Sequence, residues 1–390
     1  MRFARSDPSL LSDWWFTVDR LLFCAVLILM AGGAVLSLAA SPSVANRLDL
    51  DTFHFFKRHA LAIIPALLLL VASSLLTPRM IRRAGLFIFI VCLALMVATL
   101  WLGVEIKGAS RWLQLGGMSV QPSEFAKPAF VVVSAWLFSE TQQRDDVPSL
   151  PLAILCYVVF VTLLVLQPDF GQALLVSLVW GGLFFVAGMP AILVGILGLG
   201  LLMASMIAYL TVPHVAGRFD RFFNPSTGDT YQTDRAIEAF RNGGWFGTGP
   251  GEGVVKQALP DSHSDFVFAV VAEEFGLITC LVIVVLFVLI VLRSMARVHN
   301  ETDGFIRMAT IGLVSLFGFQ ALINMAVNVG LLPAKGMTLP FISYGGSSLL
   351  SMALAMGFVL GLTRRRPRAE RFSRTADQTE RVPPSREAKA

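Results

Sequence analysis

An aspartate stands at the start of a long apolar run in the second half of the chain. Residues 259–266 read LPDSHSDF, so Asp265 lies two residues after His263 and directly before apolar residues. A carboxylate can act as a general base, and a neighbouring imidazole can bind a substrate. An acidic residue at a helix start also complements the helix dipole, which is a purely structural role. The segment offers Asp265 as a catalytic candidate and His263 as a binding candidate.

Two pairs of charged residues lie near other apolar runs. Lys107 and Arg111 precede Trp112, an aromatic residue of the kind that marks membrane–water boundaries. Their cations could clamp a phosphate, or they could simply extend to lipid headgroups. Glu124 and Lys127 are spaced i, i+3, which permits an ion pair within one helix, either structural or part of a substrate site. Both interpretations of each pair stay open from the residues alone.

A third group of polar residues opens the last apolar run. Its members are Lys335, Ser343, Gly345, Gly346 and Ser347. Backbone N–H groups at such a helix start can bind an anion, although close helix packing would explain the glycines equally well. In the preceding run, Gln320, Asn324 and Asn328 recur every four residues and form one polar stripe. This stripe predicts hydrogen bonds between helices.

The composition defines the class of protein in which these residues must be placed. Of 390 residues, 55% are hydrophobic and 15% are charged, against about 25% charged in soluble domains, and the mean hydropathy is +0.71. A bilayer core about 30 Å thick takes about 20 apolar residues per helix. We therefore expect an all-α integral membrane protein with about ten transmembrane helices. The apolar runs are 20–40, 58–77, 84–103, 122–139, 149–166, 170–187, 190–211, 266–293, 305–330 and 344–363.

The distribution of basic residues predicts the orientation of these helices. An even number of crossings puts both termini on one side, and short loops on that side carry arginines such as Arg79, Arg83 and Arg297. By the positive-inside rule, both termini are expected in the cytoplasm. The N-terminal segment 1–19 and the basic tail 364–390 would then be cytoplasmic, and the polar composition of the tail predicts disorder.

One connection is much longer than the others within the membrane domain, which spans 20–363. Residues 212–264, between the seventh and eighth predicted helices, mix aromatic residues with Gly-rich turns, which favours an ordered periplasmic loop. In this topology the fourth, sixth, eighth and tenth helices start at the outer face. Four positive dipole ends at one face would suit a ligand that bears phosphate.

Several classes of ligand are not indicated. The segment 247–251, GTGPG, lacks the Lys-Ser or Lys-Thr that would complete a Walker A motif. His and Cys residues do not show zinc spacing, and the four cysteines stand singly in apolar runs. The tail alone holds nine Lys or Arg against four Asp or Glu, which accounts for the net charge of +5. We therefore expect no nucleotide, haem, zinc or nucleic acid as a ligand.

Five segments carry a resemblance to a known family. In this order and spacing they resemble the FtsW/RodA family, also called SEDS proteins, over about residues 20–363. The segments are KGASRW at 107–112, QPSEFAK at 121–127, QPDFG at 167–171, LPDSHSDFVFAVVAEEFG at 259–276 and PAKGMTLPFISYGGSS at 333–348. Several ordered matches of this length make the resemblance highly specific.

The resemblance implies a ten-helix peptidoglycan glycosyltransferase that polymerises lipid II on the outer face of the bacterial cytoplasmic membrane. The family's essential loop aspartate falls on Asp265, the expected general base. Lys107 and Arg111 are the leading candidates to stabilise the leaving pyrophosphate, a role that a divalent cation, Mg²⁺ or Mn²⁺, could also fill. The other expected substrate-binding residues are Glu124, Lys127, His263, Lys335, Ser343, Gly345, Gly346 and Ser347. Expected partners are lipid II, the nascent glycan strand, a class B penicillin-binding protein and other divisome membrane proteins.

Within the family, the chain resembles the division branch more than the elongation branch. Ser110 stands where elongation proteins usually have Gln, and the sequence FNP at 223–225 replaces their usual Asp-Pro pattern. Synthesis of septal cell wall is therefore expected, with an elongation polymerase as the alternative. Gln257 departs from the glutamate of many division proteins, so no acid or base role is assigned to it here.

Two other classes of protein are compatible with ten helices and buried charges. A transporter or lipid II flippase would use a polar membrane interior of the same kind. A catalytically silent scaffold for division proteins would not depend on Asp265. Polymer made from lipid II by the purified protein distinguishes the enzyme from both.

Overall fold

Helices make up most of the chain in the computed structural model, which describes residues 10–47, 49–106, 109–115, 118–141, 146, 148–211, 231–333 and 336–365. The helices before the long loop are α1 (Leu10–Thr17), α2 (Arg20–Arg47), α3 (His54–Ser74), α4 (Pro78–Leu102), α5 (Pro122–Thr141), α6 (Ser149–Leu166), α7 (Phe170–Val186) and α8 (Ala191–Thr211). The later helices are α9 (Tyr231–Gly243), α10 (Val255–Ala258), α11 (Val267–Val298), α12 (Gly304–Asn328) and α13 (Gly346–Leu362). Three strands lie between α4 and α5, namely β1 (Val104–Ile106), β2 (Ala109–Leu115) and β3 (Met118–Val120).

The long apolar runs of the sequence are the long helices of the structure. Each of the ten predicted runs falls on one helix, from α2 to α8 and from α11 to α13. Among the described residues, six helices are long and apolar enough to cross a membrane: α2, α3, α4, α6, α11 and α12. Helices α7 and α13 are apolar but shorter. The expectation of a multi-pass membrane protein is confirmed, while ten crossings with cytoplasmic termini stay a prediction.

A small antiparallel sheet precedes α5 and corrects the expectation of an all-α chain. Strand β2 pairs with both β1 and β3, and Val104 of β1 faces Trp112 of β2. The sequence contains a sign of this arrangement, because the pairs 107–108 and 116–117 contain glycine and separate the strands by two residues, as in β-hairpins. The prediction missed the sheet because it considered only apolar runs, and this segment lies between the runs 84–103 and 122–139.

Helix α13 occupies the centre of the bundle. It packs against α3, α5 and α12, and every residue in 351–362 is buried. A helix that is apolar on all sides belongs in a core. Close packing depends on Gly357, since a side chain there would overlap Ser73 of α3. The segment 336–345 leads directly into this helix and is therefore attached to a rigid element.

Helix α11 is broken at Gly276, where φ is +80°. The turn 243–249 crosses the helix at this point, and a side chain at Gly276 would overlap the backbone of Trp245. A positive φ with no room for a Cβ is a combination that only glycine accommodates well. Helix α11 therefore consists of a short segment, 267–275, and a long segment, 277–298.

The crossing turn also forms hydrogen bonds with the backbone groups that lose their helical partners at the break. Thr248 N–H donates to the Glu273 carbonyl (2.9 Å), and Leu277 N–H donates to the Gly244 carbonyl (2.9 Å). An interrupted helix in a membrane protein needs such protein partners wherever lipid surrounds it, because lipid offers no hydrogen bonds. Specific hydrogen bonds thus support the break, and the turn and the helix position each other.

The long connection before α11 contains two helices, joined by turns, where the structure describes it. Residues 212–230 lie outside the described residues, and α9 and α10 follow, with α9 packed against α11. Lys256 of α10 pairs with Glu274 inside the protein and donates to the Ala39 carbonyl (3.1 Å). Glu273 accepts from the backbone N–H of Lys256 (2.8 Å). These buried contacts tie the connection to the short segment of α11.

The two described ends of the chain meet at one end of the bundle. Arg365 N–H donates to the Thr17 carbonyl (3.0 Å). Close to them, Asp19 accepts a hydrogen bond from Arg293 Nε of α11 (3.0 Å). An even number of crossings would give this arrangement. The predicted tail lies outside the described residues from 366 onward.

Candidate active site

Asp265 lies in the turn that leads into α11. The Asp261 carbonyl accepts hydrogen bonds from the backbone N–H groups of Ser264 and Asp265, both at 3.1 Å, and these bonds close a tight turn. The Asp265 side chain is half-buried. A half-buried carboxylate at a helix start can contact both the protein and a ligand, which is what its predicted catalytic role requires.

The polar stripe of α12 holds this turn in place. Asn324 Nδ2 and Asn328 Nδ2 each donate to the Asp265 carbonyl at 2.9 Å. Asn328 Oδ1 accepts from Ala269 N–H in the first turns of α11 (3.0 Å). The predicted role of the stripe in hydrogen bonding between helices is confirmed. Two amides therefore fix the backbone from which the Asp265 carboxylate projects.

The segment before α13 passes beside the same carboxylate. A Cβ built on Gly336 would lie 3.6 Å from Asp265 Oδ2. Asn324 Nδ2 also donates to the Met337 carbonyl (2.6 Å), so one amide joins the two segments. Lys335 directly precedes Gly336 in the sequence but lies outside the described residues. The structure thus brings the predicted segment of His263 and Asp265 together with the polar segment that precedes α13.

His263 belongs to an aromatic cluster beside this turn. Its ring centroid lies 4.4 Å from that of Phe55 and 5.5 Å from that of Tyr344. The His263 carbonyl accepts from Tyr344 N–H (2.9 Å). His263 therefore packs the Asp265 turn against the start of α13, which explains its presence without a ligand. Its predicted role in substrate binding stays a prediction.

The other predicted residues at the start of α13 differ in whether contacts within the protein account for them. Ser343 Oγ accepts from Leu339 N–H (2.8 Å), and Ser347 Oγ accepts from Gln121 N–H (3.1 Å). A Cβ on Gly345 would lie 3.3 Å from Thr338, whereas a Cβ on Gly346 would meet nothing within 4 Å. Close packing thus accounts for Gly345 but not for Gly346. An anion at this helix start stays a prediction.

Glu124 and Lys127 form a buried ion pair in α5. Lys127 Nζ lies 3.0 Å from Glu124 Oε1, and the side chains are 0% and 5% exposed for Lys127 and Glu124. Lys127 also donates to Gln172 Oε1 of α7 (2.8 Å) and to Gln320 Oε1 of α12 (3.0 Å). A buried charge needs this degree of hydrogen bonding. The pair joins three helices. This agrees with the first of the two interpretations of its spacing, a structural ion pair.

A chain of hydrogen bonds connects this ion pair with the segment beside Asp265. Gln320 Nε2 donates to the Thr338 carbonyl (3.1 Å), and Thr338 Oγ1 lies 2.7 Å from Ser348 Oγ. Thr338 follows Met337, whose carbonyl binds Asn324. The predicted Glu124–Lys127 cluster is therefore linked to the segment beside Asp265 through Gln320 and Thr338.

Arg111 binds the turn between α6 and α7. Its Nε donates to the Gln167 carbonyl (2.8 Å), its Nη2 contacts the Pro168 carbonyl, and its Nη1 lies 3.4 Å from Asp169 Oδ2. A guanidinium has five N–H groups, so part of its capacity remains for a ligand. Lys107, the other half of the predicted clamp, lies outside the described residues. The described half of the clamp is thus held in place by the protein itself.

Asp169 is a polar residue of this region that the sequence interpretation did not select. It is buried, and Gln121 Nε2 lies 3.4 Å from its Oδ2. Burial raises the pKa of the Asp169 carboxyl, while the positive charge of Arg111 lowers it in part. The signal in the sequence that could have identified Asp169 is its place in the QPDFG segment, directly before α7. Asp169 orients Arg111 and links β2 to the α6–α7 turn.

The described residues provide no complete metal site. No group of three His, Cys, Asp or Glu side chains among them is close enough to hold a metal ion. Asp265 offers hard carboxylate oxygens, and Mg²⁺ commonly completes its coordination with water and the phosphates of a substrate. A divalent cation at Asp265 would therefore be shared between the protein and a ligand.

The fold and the site define a multi-pass membrane protein with a carboxylate held between the starts of two helices. The chain belongs to the FtsW/RodA/SpoVE family of cell cycle proteins, whose family model matches residues 19–367. The resemblance drawn from the five sequence segments is thereby confirmed.

Relatives of this chain include proteins from both branches of the family. It is 45% identical over 370 residues to the probable peptidoglycan glycosyltransferase FtsW of Caulobacter vibrioides (strain NA1000 / CB15N), covering 94% of each chain. A chain from a peptidoglycan synthase complex that coordinates polymerization and crosslinking is similar, with a TM-score of 0.73, 28% identity, and coverage of 90% of this chain and 98% of that one. The crystal structure of Thermus thermophilus rod shape determining protein RodA gives a TM-score of 0.66 at 28% identity, covering 90% and 97%.

Proposed function

We propose that this chain is a peptidoglycan glycosyltransferase that polymerises lipid II into glycan strands on the outer face of the cytoplasmic membrane. The observation that carries the proposal is the half-buried Asp265 carboxylate, whose backbone is held by Asn324 and Asn328 beside Gly336. The name of the Caulobacter relative, a probable peptidoglycan glycosyltransferase, supports this activity.

In the proposed reaction, the 4-hydroxyl of an acceptor sugar attacks the anomeric carbon of a donor sugar. A new C–O bond forms, and the bond between the anomeric carbon and the pyrophosphate oxygen breaks. Asp265 accepts the hydroxyl proton, as a general base within hydrogen-bond reach of the acceptor. The undecaprenyl pyrophosphate leaves with the bonding electrons, so the site must stabilise negative charge next to the carboxylate.

The proposed partners of that pyrophosphate are the cations of Lys107, Arg111 and Lys335. Arg111 is held by the α6–α7 turn and keeps N–H groups for a phosphate. Lys107 and Lys335 are proposed to act with it from positions next to β2 and next to Gly336 in the sequence. A divalent cation, Mg²⁺ or Mn²⁺, would be held by Asp265 and would neutralise phosphate charge.

We also propose that the chain acts in the division branch, at the septum, together with a class B penicillin-binding protein. The 45% identity to a division-branch relative, against 28% to RodA, supports the branch. The similar chain comes from a complex that joins polymerization with crosslinking, which supports a crosslinking partner. The chain would then deliver new glycan directly to a transpeptidase.

The test is polymerisation of lipid II by the full chain in liposomes without a partner. Wild-type protein is expected to make polymer, and Asp265→Asn to lose about 10²–10⁴-fold in rate, as for removal of a general base. Glu252→Gln, which changes an exposed carboxylate of the same outer connection, is the matched control and should keep its activity.

Two results would contradict the proposal. Wild-type polymer yield from a well-folded Asp265→Asn variant would remove Asp265 from the chemistry. Translocation of lipid II across the liposome membrane with no polymer would identify a flippase instead. Both measurements use the same preparations, so the loss of the base and the loss of the activity are distinguishable.

A further inference from the structure

Two large aromatic side chains are exposed in the turn that crosses the break in α11. Trp245 is 64% exposed and Phe246 is 84% exposed. We call this pair the aromatic turn. Adjacent exposed aromatic residues form an apolar patch of the kind that marks an interaction surface. The mechanism proposed above does not use either residue.

The aromatic turn is fixed to the start of the long segment of α11. Leu277 N–H donates to the Gly244 carbonyl (2.9 Å), and Ile278 N–H donates to the Trp245 carbonyl (3.3 Å). These bonds replace the helical bonds that the break at Gly276 removes. The two aromatic side chains are therefore held at the level where the long segment begins.

The length of that segment relates the aromatic turn to the bilayer. At the other end of the segment, Arg293 and Arg297 bind the carboxylate of Asp19, and such charges mark an aqueous boundary. The helix rises about 24 Å from Leu277 to Arg293 and about 30 Å from Leu277 to Arg297, at 1.5 Å per residue. A hydrocarbon core is about 30 Å thick. The aromatic turn thus lies at the opposite boundary of the hydrocarbon.

The same side of the protein continues into a lipid-facing stripe. Exposed apolar residues follow the turn along α11 at helical spacing: Ile278 (43%), Leu281 (56%), Val282 (54%) and Val285 (60%). The spacing i, i+3, i+4, i+7 puts them on one face of the helix. In a membrane-spanning helix such a face contacts lipid chains. The aromatic turn stands at the top of this face.

We propose that the aromatic turn is a membrane anchor, which inserts Trp245 and Phe246 into the interfacial layer of the leaflet opposite Arg293. Amphipathic aromatic rings favour this layer, since the ring contacts acyl chains while an indole N–H reaches the headgroups. Lipid is the occupant because the patch continues the lipid-facing stripe at its boundary. The anchor sets the depth of the break at Gly276, and with it the short segment that follows Asp265.

The test measures where the indole of Trp245 lies, using the full chain in nanodiscs. The lipids carry bromine, a tryptophan quencher, either near the carbonyl end or near the methyl end of the acyl chain. The fluorescence of wild-type protein is compared with that of Trp245→Phe. Trp180→Phe, at a tryptophan that is only 2% exposed in the helix bundle, is the control for removing one fluorophore.

The anchor predicts how the tryptophan fluorescence lost in Trp245→Phe responds to quenchers. Bromine at the carbonyl end should quench it more than bromine at the methyl end, and acrylamide in the water should quench it weakly. Trp180→Phe should not remove this component. If the lost component is quenched by acrylamide and indifferent to bromine, the turn is a water-exposed surface, as for a protein partner, and the proposal is overturned.

A second tryptophan reporter, at the neighbouring position, covers the case in which Trp245 has a low fluorescence yield. In the Trp245→Phe, Phe246→Trp variant the indole moves by one residue within the same turn. The anchor predicts the same preference for carbonyl-end bromine. Absence of lipid quenching at both positions, in protein that elutes like wild type on size exclusion, overturns the proposal.

Discussion

Asn324 Nδ2 lies 2.9 Å from the backbone carbonyl oxygen of Asp265, and the same amide binds the Met337 carbonyl at 2.6 Å. Both bonds go to the backbone, so Asn324 holds the Asp265 turn without occupying the carboxylate. One side chain thereby sets the distance between the Asp265 turn and the segment that approaches it from α13. Asn324 is a positioning residue, and its loss should be visible in the rate.

We expect Asn324→Ala to lower kcat of polymerisation by up to about 10²-fold, the effect of a displacement of about 1 Å at a reacting group. The shape of the pH–rate profile should stay unchanged, because Asp265 itself is retained. Rates at saturating lipid II over a range of pH check both points. Asn300→Ala, an exposed asparagine at a helix end, is the matched control. Wild-type kcat in folded Asn324→Ala would contradict the positioning role.

The geometry of Arg111 predicts a difference between arginine and lysine. Its planar guanidinium meets two carbonyls and the Asp169 carboxylate through separate nitrogens, a geometry that the single nitrogen of a lysine ammonium does not reproduce. We expect Arg111→Lys to raise KM for lipid II about tenfold or more, because loss of one hydrogen bond of a charged group costs about 1.5–3 kcal/mol. Initial rates across lipid II concentrations measure this change.

The control for that substitution is Arg235→Lys, an arginine of α9 whose partner Glu238 is on the surface. It should leave KM unchanged. A fall in thermal midpoint of Arg111→Lys with unchanged KM would show that Arg111 only holds the α6–α7 turn. The phosphate role would then be excluded for this residue.

The buried Glu124–Lys127 pair predicts a large effect on stability. Lys127→Met leaves the Glu124 carboxylate without its cation inside the protein, which typically costs about 3–5 kcal/mol. The double variant Glu124→Gln, Lys127→Met should recover part of that loss. Lys57→Met is the control, since Lys57 and Asp51 are 64% and 56% exposed and a solvent-exposed ion pair contributes little to stability. Equal thermal midpoints for Lys127→Met and Lys57→Met would contradict this account.

The features that the sequence predicted are those set by residues close to one another along the chain. Apolar runs locate the membrane helices, since length and hydropathy are local properties. The stripe of Gln320, Asn324 and Asn328 is visible because four-residue spacing marks one helix face. The pair of Glu124 and Lys127 follows from its i, i+3 spacing in the same way.

The features that the sequence could not predict depend on contacts between distant segments. Arg111 binds the turn that contains Asp169, and nothing local to either residue identifies the other as its partner. The break at Gly276 is caused by the turn around Trp245, so the apolar run 266–293 looks continuous when it is read alone. Packing between elements, and not local propensity, determines both.

The last prediction concerns the dependence of stability on pH at the end of the bundle where the described termini meet. Burial raises the pKa of the Asp19 carboxyl, but hydrogen bonds from Arg297, Leu22 N–H and Arg293 and the charge of Arg297 outweigh it, so its pKa lies below the ordinary 3.8. The folded state therefore binds fewer protons here than the unfolded state does. Its stabilising contribution is complete above about pH 4 and is lost as pH falls through the lowered pKa.

We expect Asp19→Asn to lower the thermal midpoint of the chain in nanodiscs at pH 7, and to reduce the further fall that wild type shows below about pH 4. Asp146→Asn, at an exposed aspartate between α5 and α6, should follow the wild-type profile at every pH. Because Asp19 binds Arg293 on the long segment of α11, the same variant should also loosen that helix from the start of α2. An Asp19→Asn profile parallel to wild type from pH 7 to about pH 3 would show that this carboxylate does not contribute to acid sensitivity.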